Sequence, residues 1–431
     1  MAKQKRRRNR KEWKYENFKH VLALSVQLAN YLRLLLHIEK APWDFCIDKL
    51  RQQVAWDSQF ATFETRKKKA TKKEKEPKGK LVKITVKGTE RSSRSGPAYF
   101  EWSKSKGRGK GRRYFAAPCD ELGRVQKAVL DRFLSQVCVH FARYGGQVGS
   151  SIVANAEHHV GFAKTVFSLD IVNAYPTVYR SRIKATLNKP FTFALRQFAG
   201  VTFEEAEQEA MLNSLVDLLV FKDRLPQGPS SSPRVFDIVC GKMDQEIFKL
   251  LEGSSTAFQS YRYSAWTDNL TISSDGPIPE ELRDSVVKIV RDCGFFPHTR
   301  EDKMKYYSPE TGEVPIVTGL VLNTDGRLTM APRKVNQLRA RLNRFMKLSS
   351  WDEKIVGEAA GTLGYISQVY PKRLPSKLRA LVEAVDQRLK AFHATEPSTL
   401  TPFVDEGDEP ENGPVVPPSD KEPGTQEVVL N

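Results

Sequence analysis

Acidic residues are in short supply in this 431-residue chain: 51 stand against 69 lysines and arginines, leaving a formal charge of +18. That deficit argues for a polyanionic partner, of which nucleic acid is the usual one. Cysteine is sparse too. Cys46, Cys119, Cys138, Cys240 and Cys293 are odd in number, widely spaced and never in a CxxC pattern, so neither a zinc site nor a disulfide framework is indicated and a reducing cytoplasm fits. No long apolar run is present. Val21–Ile38 comes nearest, but Gln27, Asn30 and Arg33 interrupt it, which makes it an amphipathic helix and not a membrane span. The basic residues 1–11 have no apolar core of signal-peptide type behind them. There is no GxxxxGK[ST] loop, no internal repeat, and no fused nuclease, protease or nucleotide-hydrolase motif.

What is present is unevenly charged. The last 38 residues hold nine acids and one lysine, so the other 393 carry +26. Residues 1–12 form a basic block, readable as a solubilising tail or as an RNA-contacting arm. Residues 13–62 are helix-rich. A second basic run covers 66–80, the alternation in Leu81–Glu90 predicts a strand, and Ser103–Arg113 is both glycine-rich and basic. Glycine lets backbone approach phosphates while lysine and arginine neutralise them. Lys110, Arg112 and Arg113 are therefore candidate phosphate contacts, with a solvated loop as the alternative. Helical spacing runs through 122–142 and dominates 334–346 and 351–392. From Thr395 on, Pro, Glu, Asp and Gly predict a disordered acidic tail.

Three short segments carry the chemistry: Phe167–Tyr175 (FSLDIVNAY), Leu225–Pro233 (LPQGPSSSP) and Tyr263–Ser273 (YSAWTDNLTIS). They put Asp170 and Asp268 at the ends of apolar, β-prone runs. A pair of carboxylates is what phosphoryl transfer needs to hold two magnesium ions. An isolated Asp is more often a cap or turn residue, so the weight falls on the two occurring together. Strands alternating with helices indicate an α/β or α+β core.

In order and spacing these segments resemble motifs A, B and C of reverse transcriptases, most nearly those of the bacterial retron type. Asn155 and His159, in NAEHH, resemble the retron NAxxH signature. Val317-Thr318-Gly319 resembles its VTG signature. Tyr114–Leu130 looks like a fingers segment and Gly361–Pro371 like a thumb helix. The resemblance covers roughly residues 99–392 and implies an α+β right-hand polymerase fold. Its expected parts are a basic arm and helical N-terminal extension (1–62), fingers (63–160, with a basic insertion at 66–113), a palm carrying motifs A to D (161–330), a helical thumb (331–393) and a disordered acidic C-terminal tail (394–431).

The resemblance also implies roles. Asp170, Asp268 and the backbone carbonyl of Ile171 would hold two Mg2+ ions. Tyr175 would be the steric gate that favours dNTP substrates, unless it is an ordinary buried tyrosine. Gln227 and Gly228 would lie by the incoming base, although Pro226 and Gly228 also suit a turn leading into a helix. Lys303, with Lys305 as a rival register, would be the motif D lysine. Asn155 and His159 would orient the fingers or touch a structured RNA, with a satisfied core histidine as the other reading of His159, and Val317, Thr318 and Gly319 would serve RNA recognition. Lys334, Arg339 and Arg373 would grip the RNA or product duplex. Two departures stand out. Motif C reads Trp266-Thr267-Asp268-Asn269 where the family has Tyr-x-Asp-Asp, and Gly149-Ser150-Ser151 lacks the usual arginine.

Three functions fit. One is a cytoplasmic bacterial RNA-directed DNA polymerase that copies a structured non-coding RNA in anti-phage defence, with any effector a separate protein. A second is a defence-associated or abortive-infection reverse transcriptase making repetitive or untemplated DNA. The third is an RNA-binding scaffold with a decayed site.

Overall fold

The computed structural model describes residues 18–69, 98–106, 111–197, 201–300, 303–323 and 325–395. The basic arm, the strand expected at 81–90, Lys110 and the acidic tail lie outside these residues. The chain is a mixed helix-and-sheet protein of two units, Met1–Gln337 with Tyr365–Leu374, and Leu338–Gly364 with Pro375–Asn431.

The first unit begins with three helices, α1 (Lys19–Ala23), α2 (Val26–Leu35) and α3 (Lys40–Lys69). Ser25 starts α2 because its hydroxyl accepts from the Leu28 amide at 3.2 Å. An antiparallel hairpin follows, β1 (Tyr99–Ser105) with β2 (Arg112–Pro118), its last pair joining Ser105 to Arg112. Next comes α4 (Asp120–Arg132), shorter than the helix expected over 122–142. The chain leaves it because Arg234, from a distant helix, donates to the carbonyls of Leu134, Ser135 and Val137 at 2.7–3.2 Å. A cation there satisfies carbonyls that another helical turn would otherwise have used.

The chain then runs through α5 (Ile152–Glu157), β3 (Thr165–Asp170), α6 (Arg180–Gln197), α7 (Glu205–Leu219), α8 (Ser232–Ser254), β4 (Tyr261–Trp266), β5 (Asn269–Ser274), α9 (Glu280–Asp292) and β6 (Met304–Tyr307), whose strands make the central sheet. Its four antiparallel strands run in the order β4-β5-β3-β6. β3 lies between β5 and β6, and Thr165–Leu169 are all buried, Thr165 and Ser168 along with the apolar Val166, Phe167 and Leu169. Leu169, Ile171, Phe236, Leu270, Ile272 and Phe295 join one core behind the sheet. α6 is basic and carries Pro190 inside it, features that weaken its local helical signal; the burial of Ile183, Leu187, Phe191 and Leu195 holds it. A small meander, β7 (Ile316–Val317), β8 (Leu320–Leu322) and β9 (Leu328–Met330), completes the unit.

The helices expected at the end of the chain are α10 (Pro332–Lys347), α11 (Glu353–Val369) and α12 (Ser376–Thr395). Pro371 and Pro375 break the continuous pattern over 351–392 into two. In the second unit Leu338, Leu342 and Phe345 are buried. The Trp351 indole donates to the Phe345 carbonyl at 3.0 Å. Arg388 caps the end of α10, donating to the carbonyls of Met346 and Leu348 at 3.2 and 2.6 Å. Among the described residues, no helix is long and apolar enough to cross a membrane.

Candidate active site

β3 ends on Asp170, and the β4–β5 hairpin turns through Thr267 and Asp268. Strand register brings the two ends together: Trp266 pairs with Asn269 across the turn, and Asn269 pairs with Asp170 across the sheet. The Ile171 amide then donates to the Asp268 carbonyl at 2.9 Å. Both carboxylates are mostly buried. Burial pushes the Asp268 carboxyl up, the Asp170 charge adds to it, and the Thr267 hydroxyl at 3.0 Å works against it. Two like charges facing each other in a half-dry site call for cations.

Two further side chains tend Asp170. The Lys303 ammonium forms an ion pair with Asp170 Oδ2, whereas the Lys305 ammonium lies 5.8 Å from the Tyr307 ring. Of the two candidate lysines, Lys303 is therefore the one at the site. Asn269 donates through Nδ2 to Asp170 Oδ1 at 3.3 Å, and its own carbonyl accepts from Thr271 at 3.4 Å. The amide that replaces a third carboxylate thus acts as a hydrogen-bond donor to its neighbour.

The donor set suits a hard cation: two carboxylates, with the Ile171 carbonyl next in the chain, and a lysine ammonium already attracted to one of them. It is a lean set, because among the described residues no three His, Cys, Asp or Glu side chains converge. Tyr175 borders it. Its ring tilts against Phe236 at 5.4 Å. Its phenol is pushed up by burial and then by the Asp268 charge, while the Arg113 charge opposes the shift. Arg113 on the β1–β2 hairpin is thereby placed within electrostatic range of the same site.

No family model matches the chain. The chain resembles retron reverse transcriptases. It is 27% identical to the Mx162 enzyme of Myxococcus xanthus over 307 residues, 66% of this chain and 60% of that protein. It is 25% identical to the Ec86 enzyme of Escherichia coli over 256 residues, 59% of this chain and 72% of that one. For Mx65 of Myxococcus xanthus the identity is 24%, covering 61% of this chain and 60% of the relative. A telomerase from Candida albicans, solved with the TWJ fragment of telomeric RNA, superposes with TM-score 0.35 at 13% identity, over 64% of this chain and 53% of that one; a likeness that low carries no argument.

Against the retron motifs, the remaining expected residues divide in two. Gln227 and Gly228 of the Leu225–Pro233 segment lie against β2: the Ala116 amide donates to the Gln227 carbonyl at 2.9 Å. Gly228 sits at φ +154°, where a Cβ would lie 2.5 Å from the Ala116 carbonyl oxygen, so only glycine fits this contact. Arg112 is exposed but folds back onto Ser103, at 2.8 Å to its hydroxyl. Lys334, Arg339 and Arg373 are exposed, and the Lys334 ammonium stands 5.5 Å from the Tyr365 ring.

Three expected RNA contacts are corrected by burial. His159 has no exposed surface; it bridges the hydroxyls of Ser273 and Ser264, both at 2.7 Å, beneath β5 and β4. Asn155 and Val317 are equally interior. None of the three exposes a surface to RNA, and the interior placement of Asn155 and His159 fits the other readings, an orienting residue or a satisfied core histidine. Thr318 and Gly319 form the turn between β7 and β8, both at positive φ. The Thr318 hydroxyl donates to the Ile152 carbonyl at 2.9 Å, so the NAxxH helix and the VTG turn are joined.

Nothing in the local sequence marked Arg143, Asp237 and Asp244, which form a buried ion-pair cluster below the motif C turn. One spacing does carry a signal: Asp237 and Asp244 lie seven apart in α8, on its buried face. Such a spacing stacks two charges on one side, and charges there demand a partner.

Proposed function

We propose that the chain is an RNA-directed DNA polymerase of the retron kind, with fingers formed by the β1–β2 hairpin, a palm by the four-stranded sheet and a thumb by α10–α12. The observation that carries this reading is the register that sets Asp268 beside Asp170 at the meeting of β3 and the β4–β5 turn. Asp170, Asp268 and the Ile171 carbonyl would hold two magnesium ions, which when bound supply Lewis acidity toward the primer hydroxyl and the triphosphate.

The chain's own residues do the rest. Asn269 fixes the orientation of Asp170. Lys303 neutralises Asp170 at rest and, once the site fills, is free to donate a proton toward the leaving pyrophosphate. The Tyr175 ring would press on the 2′ side of the sugar and favour dNTPs. Arg113, with Lys110 and Arg112, would meet the triphosphate. Lys334, Arg339 and Arg373 would hold a template–product duplex by its phosphates, independently of sequence.

The chain covers about 60% of the Mx162 and Mx65 relatives, so template and setting belong to the same proposal: a structured non-coding RNA, in a bacterial cytoplasm, in defence against phage, with any effector a separate protein. The test is to sequence nucleic acid that co-purifies with the wild type and with Asp170→Ala. DNA copied from one RNA segment, present only with the wild type, is the expected result. A simple repeat or homopolymer would favour untemplated synthesis, the reading that the Trp266 and Asn269 departures support. RNA without DNA in both samples would leave only a scaffold.

A further inference from the structure

The motif C turn is held in a conformation its sequence disfavours. Thr267 is β-branched yet sits at φ +50°, in the left-handed region where such residues are outliers. Something must over-determine it. Two neighbours do. From one side comes the Ala142–Gly145 segment, which runs alongside β4: the Ala265 amide donates to the Ala142 carbonyl at 2.8 Å, and the Tyr144 amide to the Ala265 carbonyl at 2.9 Å. It brings Gly145 so close that a Cβ there would stand 2.5 Å from the Thr267 nitrogen. From below comes Arg143, 2% exposed. Its Nε and Nη2 grip Asp244 at 2.7 and 2.8 Å, and its Nη1 donates to the Thr267 carbonyl at 2.6 Å. Asp237 stands 3.4 Å from the same Nη1, and the Tyr263 hydroxyl donates to Asp244 at 2.6 Å. The guanidinium fork is therefore anchored on α8 through one edge, leaving Nη1 to reach the carbonyl next to the catalytic aspartate.

We propose that Arg143 is a positioning residue for Asp268, clamping the Thr267–Asp268 turn so that the Asp268 carboxylate faces Asp170; this rests on the polymerase reading above. The geometry explains why arginine is needed. A lysine ammonium is a single point donor and cannot hold a bidentate carboxylate and a carbonyl on its far side at once.

The test uses the full chain with Arg143→Lys, Thr267→Gly and Arg143→Lys/Thr267→Gly. Three quantities are read: kcat and KM for dNTP on a template–primer, Mn2+ affinity by electron paramagnetic resonance without nucleic acid, and thermal unfolding. Displacing a reacting group by about 1 Å costs up to roughly a hundredfold in rate. Arg143→Lys is therefore expected to lose kcat at least about tenfold with KM little changed, and to bind Mn2+ more weakly. The double variant should be no worse than Arg143→Lys, because both changes act through one turn. Additive losses, or a lowered melting temperature with unaltered Mn2+ affinity, would make Arg143 a core residue only and overturn the proposal. Should Arg143→Lys not fold, Gly145→Ala carries the test, since it pushes on the Thr267 nitrogen and leaves the Arg143–Asp244 pair in place. Unaltered Mn2+ affinity in that variant would sink the idea. Because Mn2+ binding needs no turnover, a wild type that binds the ion but incorporates no nucleotide would defeat the polymerase reading and leave the clamp standing or falling on its own.

Discussion

His159 shows how a side chain chosen for its chemistry can be retained for its geometry. With both ring nitrogens engaged by serines and no exposed surface, it cannot welcome a proton, and burial lowers its pKa from 6.5 to about 3. The unfolded chain binds that proton below about pH 6.5 and the folded chain does not until near 3, so stability from this group is complete above 6.5 and is lost as pH falls through that window. Unfolding midpoints in urea, measured from pH 7.5 to 4.5, should therefore fall less steeply for His159→Gln than for the wild type; equal slopes would remove the histidine from the account. Asn269 offers a second test at this scale. Its amide donates to Asp170, where a carboxylate would instead repel. Asn269→Asp adds a charge beside Asp170 and, with Mg2+ held there as proposed, should lower the half-saturating Mg2+ concentration in primer extension by about two- to tenfold. A half-saturation that rises instead would mean that the hydrogen bond to Asp170 matters more than the added charge. The placement of Asp170 at a strand end and of Asp268 in the turn after β4 was legible from sequence because the apolar, β-prone runs beside them are local. The burial of His159 was not, because its serine partners lie 105 and 114 residues away.

Elements were read well where the pattern is local and poorly where a distant group decides. The central strand and its neighbouring hairpin lie where the apolar, β-prone runs beside Asp170 and Asp268 put them. The early end of α4 does not follow from the local pattern, because the guanidinium that donates to the carbonyls just beyond it, those of Leu134 and Val137, comes from Arg234, about a hundred residues later. The same holds for the link between the β1–β2 hairpin and the Leu225–Pro233 segment, which is made by backbone: Ala116 to Gln227, with Gly228 lying close against β2. A methyl group on residue 228 would have to push the two elements apart. Gly228→Ala is accordingly expected to destabilise the protein by about 1–3 kcal/mol, the usual range for overpacking, and to raise KM for dNTP more than it lowers kcat. Thermal unfolding and steady-state kinetics on the same preparation check both parts. A variant with wild-type melting and KM would show that the two elements part freely.

On the scale of the whole molecule, charge is the property that composition announced and the fold distributes. The body carries +26 and the last 38 residues −8, and Lys334, Arg339 and Arg373 stand exposed in the region read as a thumb. Affinity for a template–primer duplex should then fall steeply with salt, by roughly 10³–10⁵ between 50 and 200 mM if six to ten phosphates are neutralised. Contact and field can be separated by two changes. Arg339→Gln, if that side chain meets a phosphate, should lower the slope of log K against log salt by about 0.9 and weaken all sequences alike. Removing residues 396–431 deletes charge without deleting a phosphate contact, so it should speed association at low salt and have little effect once the Debye length shrinks to about 8 Å near 0.15 M. Filter binding across a salt series reads the first and stopped-flow association the second. A truncation whose effect persists unchanged at high salt would mean that the acidic segment touches the binding surface directly and does not merely shape the field around it.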